Sequence, residues 1–228
     1  MNIISIIPAR GGSTEIPMKN LIKLDNKPLL YYSVTASLNS KYVSKTVVST
    51  DNDKIADYAL SLGAEVVTRP KKISGNRIGI SPAIFHVIDH FKKHENFKPD
   101  VVITLQNTSP FRNSQHIDRA FSIFKKGNYD SVISGFKSKF LLWQKKGKNV
   151  TPINYNPLKR PRRQEIKKYF IENGAIYITK YDLLKKFKSR VCGTVGIYEM
   201  PYKFSLEIDN LFDIYLAKQI FKSGELML

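Results

Sequence analysis

Short runs of β-branched and other apolar residues alternate along this chain with longer segments in which apolar residues recur every three or four positions. The short runs predict buried strands, and the longer pattern predicts helices with one apolar face. Because parallel strands need a crossover between them, the alternation predicts an α/β fold with a mostly parallel, Rossmann-like sheet. The predicted strands cover residues 3–7, 46–49, 64–67, 101–105, 131–134, 171–178 and 196–200, and the predicted helices cover residues 29–39, 53–62, 81–91, 114–126, 181–186 and 211–221.

The first predicted strand leads into a glycine-rich turn with two cations nearby. Pro8 cannot donate a hydrogen bond to a sheet, and Gly11 and Gly12 allow backbone N–H groups to approach a ligand closely. Together with Arg10 and Lys19, these N–H groups would suit a phosphate. A turn that binds nothing is an equally open interpretation of the residues alone. The turn lacks the GxxxxGK(S/T) and GxGxxG spacings, which disfavours a Walker-type ATPase and a Rossmann dehydrogenase.

Polar residues follow the next predicted strands at the points where those strands end. Residues 49–51 follow the second strand, Arg69 follows the third, and residues 106–109 follow the fourth. In open parallel sheets, ligands bind outside the carboxyl ends of the strands, so we expect these residues and the glycine turn to converge on one site. There Arg69 would reach a phosphate or a base, and Gln106 would hydrogen-bond a sugar.

Two carboxylates near the C-terminus have the spacing of residues on one face of a strand. A strand over residues 205–209 would place Glu207 and Asp209 on one face and Ile208 on the other. Two carboxylates suit Mg²⁺, which completes its shell with water and substrate phosphates. A strand with one solvated face explains the same pattern without a metal. The predicted phosphate site, which needs a counter-ion, favours the magnesium interpretation.

The segment over about residues 137–169 is basic, contains prolines and lacks helical periodicity. We interpret it as an arm inserted into a single domain that spans residues 1–228. Arg163 in this arm, with Asn173 and Tyr177 beyond it, offers the guanidinium, amide and phenol groups that recognise a carboxylate and hydroxyls. A basic arm that is merely solvated is the alternative.

The chain carries 37 Lys and Arg against 19 Asp and Glu, a formal net charge of +18. This excess favours anionic partners, but the lysines are scattered over predicted helices and loops, which argues against nucleic acid. No run approaches the ~18 apolar residues of a membrane span, so we expect a soluble, cytoplasmic protein with no membrane partner. The single cysteine, Cys192, cannot form an internal disulfide and lies in no metal-ligand spacing, so we expect it to be structural.

In their order and spacing, several segments resemble the acylneuraminate (CMP-sialic acid-type) cytidylyltransferases, from Ile3 to about Ala217. The resemblance implies a fold of the nucleotide-diphospho-sugar transferase type with a dimerisation arm, and therefore a homodimer in which the partner subunit helps to enclose the sugar. It also implies that CTP and a nine-carbon 2-keto acid sugar react with Mg²⁺ as cofactor, giving a CMP-sugar and pyrophosphate. The matching segments are IIPARGGS, Lys19-Asn20, VVSTD, Arg69-Pro70, LQNTSPFR, KRPRRQ, ENGAIYIT and SLEID.

The resemblance also implies roles for individual residues, position by position. Arg10 and Lys19 would hold the triphosphate and stabilise the leaving pyrophosphate. Glu207 and Asp209 match the family's paired metal carboxylates, which are usually both Asp, and Asp209 is the best candidate for the general base, acting through a metal-bound hydroxyl. The nucleotide contacts would be Gly11, Gly12, Asn20 and Arg69, and the sugar contacts would be Gln106, Arg163, Asn173 and Tyr177.

Two departures from the family pattern concern the nucleotide. Thr14 and Glu15 stand where the family usually has Lys-Gly, which removes a cation, and residues 76–80 replace a segment of the Asp-Thr-x-Ser-Ser type. That Arg77 restores the lost cation is a hypothesis. Two alternatives therefore stay open beside a sialic-acid-like substrate: CMP activation of legionaminic- or pseudaminic-type acids, and a non-catalytic nucleotide-binding protein.

Overall fold

A seven-stranded sheet with helices on both faces forms the centre of the computed structural model, which describes residues 1–13 and 15–225. The strands are β1 (Ile3–Pro8), β2 (Lys23–Leu24), β3 (Lys27–Pro28), β4 (Lys45–Thr50), β5 (Glu65–Thr68), β6 (Val101–Thr104), β7 (Ser131–Ser138), β8 (Trp143–Lys146), β9 (Asn149–Pro152), β10 (Tyr169–Lys180) and β11 (Val195–Glu199). The α-helices are α1 (Leu29–Leu38), α2 (Asp53–Ser61), α3 (Ser81–Glu95), α4 (Ser114–Lys126), α5 (Tyr181–Phe187) and α6 (Leu211–Ser223).

The strands of the central sheet follow the order β11-β7-β10-β6-β1-β4-β5, and β2–β3 and β8–β9 form separate hairpins. Every neighbouring pair in the central sheet is parallel except the two that involve β10, which runs antiparallel to β6 and to β7. This confirms the predicted mostly parallel sheet. The strand β10 is reversed because the chain leaves β7, forms an excursion and returns beside β7 without a crossover helix.

Alternating isoleucines in β1 build both layers of the core. Ile3 and Ile7 pack in one cluster with residues of α1, α2 and α4, whereas Ile4 and Ile6 pack in another with residues of α3 and α5. All four are at most 4% exposed, and burying each side chain contributes roughly 1.5–3 kcal/mol. Because helices cover both faces, a ligand has access at the edge where the parallel strands end.

Asparagine side chains begin three of the helices. Asn52, Asn113 and Asn210 accept hydrogen bonds from backbone N–H groups in the first turns of α2, α4 and α6. Each such cap stabilises its helix by about 1 kcal/mol. Gly63 follows α2 with a positive φ of 90°, a backbone conformation that favours glycine after a helix. Among the described residues, none of the helices has the length and apolarity needed to cross a bilayer.

The predicted strand over residues 205–209 is wrong. After the 3₁₀ turn Tyr202–Phe204, this segment pairs with no strand and leads into α6. Its backbone bonds to a loop instead, since the Ile208 N–H donates to the Thr108 carbonyl at 2.7 Å. Ile208 is buried in an apolar cluster beside α1 and α6, Leu206 packs against the same cluster, Glu207 is partly buried and Asp209 is exposed. The apolar alternation in sequence that suggested a strand therefore reflects the anchoring of Leu206 and Ile208.

Between β7 and β10 the chain leaves the central sheet. The two strands continue as an antiparallel ribbon up to the pair Ser138–Tyr169, and the hairpin β8–β9 lies beyond it. Several apolar side chains of this segment, which we call the arm (residues 139–168), are exposed to solvent. They are Phe140, Leu142, Trp143, Val150, Ile153 and Leu158. Exposed apolar side chains in such a group are typical of an interaction surface.

Candidate functional site

A cavity of about 270 Å³ lies where the glycine turn after β1 meets the loops after β5 and β6. The loop over residues 73–80 forms another side of the cavity, but Arg77 is exposed and is not part of the lining. Thr14 lies outside the described residues, and Glu15 is exposed. The lining residues are Pro8, Arg10, Ser13, Lys19, Asn20, Arg69, Ile73, Gly75, Asn76, Ile78, Gly79, Ile80, Gln106, Asn107 and Thr108.

The glycine turn is held by a carboxylate from the end of β4. The Gly11 N–H donates to Asp51 Oδ1 at 2.8 Å, so this amide is directed at Asp51 and not into the cavity. A Cβ at Gly11 would lie 2.9 Å from the Cβ of Asn52, which explains the need for glycine there. Gly12 has open space around it. The Arg10 guanidinium lines the cavity and donates to the Gly75 carbonyl at 3.2 Å.

Lys19 joins the N-terminal turn to the C-terminal carboxylates. Its Nζ donates to the Ile208 carbonyl at 3.0 Å and lies 3.8 Å from Asp209 Oδ1. The Lys19 side chain is 16% exposed, whereas the Asp209 side chain is 72% exposed. Lys19 and Asp209, which are far apart in sequence, thus place opposite charges beside the cavity that Lys19 lines.

Two of the residues predicted to bind nucleotide also hold the loops together. Asn20 donates to the Arg10 carbonyl at 2.8 Å, and its Oδ1 accepts from the Asn107 amide at 3.0 Å. Arg69 is 7% exposed and donates to the Ser49 carbonyl at 2.8 Å. Burial lowers the pKa of Arg69, and the neighbouring Arg10 lowers that pKa further. Two cations are therefore held close together at this cavity.

Glu207 is half-buried within a group of acidic residues. Its pKa is raised first by burial, and then by the nearby charges of Asp209 and Glu172. Within residues 1–13 and 15–225, no group of three or more His, Cys, Asp and Glu side chains has the arrangement of a metal site. A pair of carboxylates under mutual repulsion nevertheless fits Mg²⁺, which needs one or two carboxylates besides water and phosphate oxygens.

Of the four predicted sugar contacts, Gln106 is the one that lines the cavity. Asn173 is 1% exposed, and its side chain is bonded to Ser134 and Ser205 inside the protein. Tyr177 is 2% exposed, donates its hydroxyl to the Glu172 carboxylate and carries the Arg190 guanidinium on its ring. Both side chains are therefore committed to internal contacts in this structure.

Arg163 lies apart from this cavity. It is exposed on the arm, where its carbonyl accepts from Lys139 Nζ at 3.0 Å, and it borders a separate groove with Phe136 and Tyr202. The structure thus brings together Arg10, Lys19, Asn20, Arg69, Gln106 and the C-terminal carboxylates. It does not bring Arg163 of the same chain to them.

Sequence reasoning assigned no role to Arg112, which organises the base of the site. Its guanidinium is fully buried and donates to the carbonyls of Gln106 at 3.2 Å and Ala175 at 3.0 Å. Burial lowers the pKa of Arg112 to about 9. A lone arginine in the otherwise uncharged segment LQNTSPFR was the available signal, because a buried charge needs several hydrogen bonds. Asn107 was expected at the site as one of residues 106–109 but without a role of its own, and it supports Asn20.

Comparison with known proteins gives concordant results. The family model described as "Cytidylyltransferase" matches residues 4–225. N-acylneuraminate cytidylyltransferase A of Danio rerio is 33% identical over 222 residues, covering 96% of this chain and 50% of that protein. N-acylneuraminate cytidylyltransferase of Escherichia coli O18:K1:H7 (strain RS218 / NMEC) is 33% identical over 227 residues, covering 94% of this chain and 51% of that protein. The chain therefore spans about half the length of these curated relatives.

Solved structures share the fold at lower sequence identity. CMP:2-keto-3-deoxy-manno-octonic acid synthetase complexed with CTP superimposes with a TM-score of 0.71 at 14% identity, covering 98% of this chain and all 100% of that one. The 4-diphosphocytidyl-2C-methyl-D-erythritol synthase from Anaerococcus prevotii DSM 20548 gives a TM-score of 0.67 at 15% identity, covering 97% and 98%. These likenesses confirm the predicted nucleotide-diphospho-sugar transferase fold, and the curated relatives confirm the resemblance seen in the sequence.

Proposed function

Because this chain belongs to the cytidylyltransferase family, we propose that it transfers the cytidylyl group of CTP to a nine-carbon 2-keto acid sugar of the sialic acid type. The products would be the CMP-sugar and pyrophosphate. The observation that carries this proposal is the placement of Lys19 from the N-terminal turn 3.8 Å from the Asp209 carboxylate, beside a cavity that two arginines also line. Cations and carboxylates so arranged suit a triphosphate and its counter-ion.

The cations account for the chemistry at phosphorus. The anomeric oxygen of the sugar would attack the α-phosphorus of CTP, and the bond from that phosphorus to the oxygen bridging the α- and β-phosphates would break. Negative charge then develops on the leaving pyrophosphate, where Arg10 and Lys19 would stabilise it. Both are already held by backbone carbonyls, Arg10 by Gly75 and Lys19 by Ile208, so little reorganisation is needed during the reaction.

The carboxylates account for the counter-ion. Glu207 and Asp209 would hold Mg²⁺, which when bound neutralises phosphate charge and acts as a Lewis acid. Asp209 remains our candidate for the general base, acting through a metal-bound hydroxyl, since its carboxylate is 72% exposed and accessible to substrate. Gln106 would contact the sugar from the cavity side. Asn173 and Tyr177 would act indirectly, by fixing the strand β10 that lies beside Gln106.

The arm supports the proposal of a homodimer. Its exposed apolar side chains would pack against a second copy, and Arg163 would then serve the site of the partner subunit. Arg163 supplies a planar guanidinium suited to the sugar carboxylate. A cytoplasmic location and the absence of membrane and nucleic-acid partners stay predictions of the sequence.

Pyrophosphate release tests the proposal. The full chain is incubated with CTP, Mg²⁺ and, separately, N-acetylneuraminic, legionaminic, pseudaminic and eight-carbon 2-keto-3-deoxy acids. We expect release with N-acetylneuraminic acid that depends on both CTP and Mg²⁺. Release with the legionaminic or pseudaminic acid alone would shift the substrate to those sugars. CTP binding without release from any acid would favour a nucleotide-binding protein. Four residues of the altered loop over residues 76–80 line the cavity, so its sequence changes lie where they would act on nucleotide contacts.

A further inference from the structure

Gly174 occupies an irregularity in β10. The pairing of β10 with β7 shifts register between Glu172 and Tyr177, and Gly174 within this bulge has φ of 63°. Glycine adopts this left-handed conformation at no steric cost, whereas other residues are strained in it. The backbone alone therefore favours glycine, but the surroundings of Gly174 add a second and more specific constraint.

Two side chains of the candidate site press against Gly174. A Cβ built on this residue would lie 2.1 Å from Glu207 Oε1 and 2.3 Å from Gln106 Oε1. Both distances are far below van der Waals contact. Gly174 thus separates the carboxylate proposed to hold Mg²⁺ from the amide proposed to contact the sugar, with no room for a methyl group.

The backbone at Gly174 cannot move away from these side chains without breaking other bonds. On one side, Asn173 donates to Ser205 Oγ at 2.9 Å, which ties the bulge to the segment that carries Glu207. On the other side, Arg112 bonds to the carbonyls of both Ala175 and Gln106, which ties the bulge to the loop that carries Gln106. Asn173, Arg112, Ala175 and Ser205 of this frame are buried and Gln106 is partly buried, so breaking one of the bonds costs about 1–3 kcal/mol.

We infer that Gly174 is a positioning residue that sets the separation between the Glu207 carboxylate and the Gln106 amide, and through it the joint binding of a divalent cation and the acidic sugar. This inference rests on the proposed function. Any side chain at this position displaces both groups, because the frame of Asn173 and Arg112 holds the backbone in place. The cations Arg10 and Lys19 are held by other bonds and stay where they are.

The test compares Gly174→Ala with Gly193→Ala. Gly193 is a matched control, since its φ is 65° and its Cβ would lie 2.4 Å from the Asp130 carboxylate, which belongs to none of the site contacts described above. Each variant therefore places alanine at a similar positive φ and crowds a carboxylate, Glu207 in one case and Asp130 in the other. Mn²⁺ binding is measured by electron paramagnetic resonance, with and without CTP, alongside thermal unfolding and the KM values of CTP and the sugar acid.

We expect Gly174→Ala to weaken Mn²⁺ binding at least tenfold and to raise the KM of the sugar acid by a similar factor. At saturating Mg²⁺, the KM of CTP should stay within threefold of the parent. Gly193→Ala should match the parent in Mn²⁺ binding. Unchanged Mn²⁺ binding in Gly174→Ala, or an equal loss in both variants, would overturn the inference. A parent protein that releases no pyrophosphate with any acid would instead refute the proposed function, and the Mn²⁺ comparison would still be readable.

A double variant tests the contact itself and covers a failure of Gly174→Ala to fold. Glu207→Asp shortens the side chain and withdraws its carboxylate from Gly174. The loss of Mn²⁺ affinity caused by Gly174→Ala should then be at least threefold smaller in the Glu207→Asp background. If the single variant does not fold, the double variant should. Additive losses, or a double variant that also fails to fold, would show that Gly174 does not act through Glu207.

Discussion

Replacing Lys19 by alanine is expected to lower kcat about 10²–10³-fold while the fold persists, because one cation at a developing anion is worth about 2.7–4 kcal/mol. The structure supports the upper part of this range. The Lys19 side chain is only 16% exposed, and at an effective dielectric constant of ~20 a unit charge about 4 Å away interacts by about 4 kcal/mol.

The same contacts predict a small effect of Lys19→Ala on stability. The ion pair with Asp209 is long, at 3.8 Å, and involves a carboxylate that is 72% exposed, so it contributes below about 1 kcal/mol. The hydrogen bond to the Ile208 carbonyl adds about 1 kcal/mol. Pyrophosphate release measures kcat, thermal unfolding measures stability, and Lys23→Ala is the control, since Lys23 is exposed and lines no part of the cavity. A Lys19→Ala enzyme with kcat within threefold of the parent would remove Lys19 from the mechanism.

Four other expectations follow from the structure. Because the pKa of Glu207 is raised in the folded protein, its ionisation opposes folding as pH rises through that pKa. Glu207→Gln should therefore raise Tm at neutral pH in the absence of divalent ions, and the gain should vanish below about pH 4. A series of Tm measurements from pH 4 to 8 tests this. Arg112→Met should lower the free energy of unfolding by about 3–5 kcal/mol, because buried carbonyls lose their donor. By calorimetry, this loss corresponds to a fall in Tm of roughly 10 °C. An unchanged Tm would contradict the bonding described. Arg163→Ala should raise the KM of the sugar acid at least tenfold in steady-state kinetics and leave the KM of CTP unchanged. Leu158→Asp should shift the sedimentation of the proposed dimer toward the monomer. A Leu158→Asp protein that sediments like the parent would exclude this face of the arm from a dimer.

Periodicity predicted most elements of the fold because most of them bury one face. The helix over residues 114–126 was predicted with the bounds that the structure shows for α4. The strand β10 was predicted from residue 171, whereas it begins at Tyr169, since its first residues pair with the end of β7 outside the apolar core. Cross-strand pairing of this kind leaves no apolar period in a single segment. The wrong strand over residues 205–209 has the opposite cause, because the anchoring of Leu206 and Ile208 in an apolar cluster produced an apparent period without a partner strand.

Some residues of the candidate site could likewise be predicted from the sequence, and others could not. Arg10, Lys19 and Arg69 could be predicted because they are cations that follow strand ends, and parallel strands bring their carboxyl ends together. The role of Gly174 could not be predicted, because it depends on which side chains of distant segments lie against it, and the sequence signal at Arg112 did not reveal which carbonyls it binds. The predicted sugar contacts of Asn173 and Tyr177 show the same limit, since an amide or a phenol in sequence gives no sign of whether it faces a ligand or the interior.

Asp209 lies in a segment without regular secondary structure, yet its backbone is held in a fixed position. The backbone around it is fixed at several points: the Ile208 N–H binds the Thr108 carbonyl, and the N–H groups of Asp209 and Asn210 donate to Asp213 Oδ2 at 2.8 and 2.9 Å. The capping box that begins α6 thus also fixes the residue just before the helix. From the part of the chain that the structure describes, the Asp209 carboxylate accepts no hydrogen bond, and its ion pair with Lys19 is 3.8 Å long, which is longer than a hydrogen bond. A rigid backbone with an uncommitted carboxylate is the arrangement expected of a group that binds a ligand, because binding then requires neither ordering of the chain nor the breaking of an internal bond.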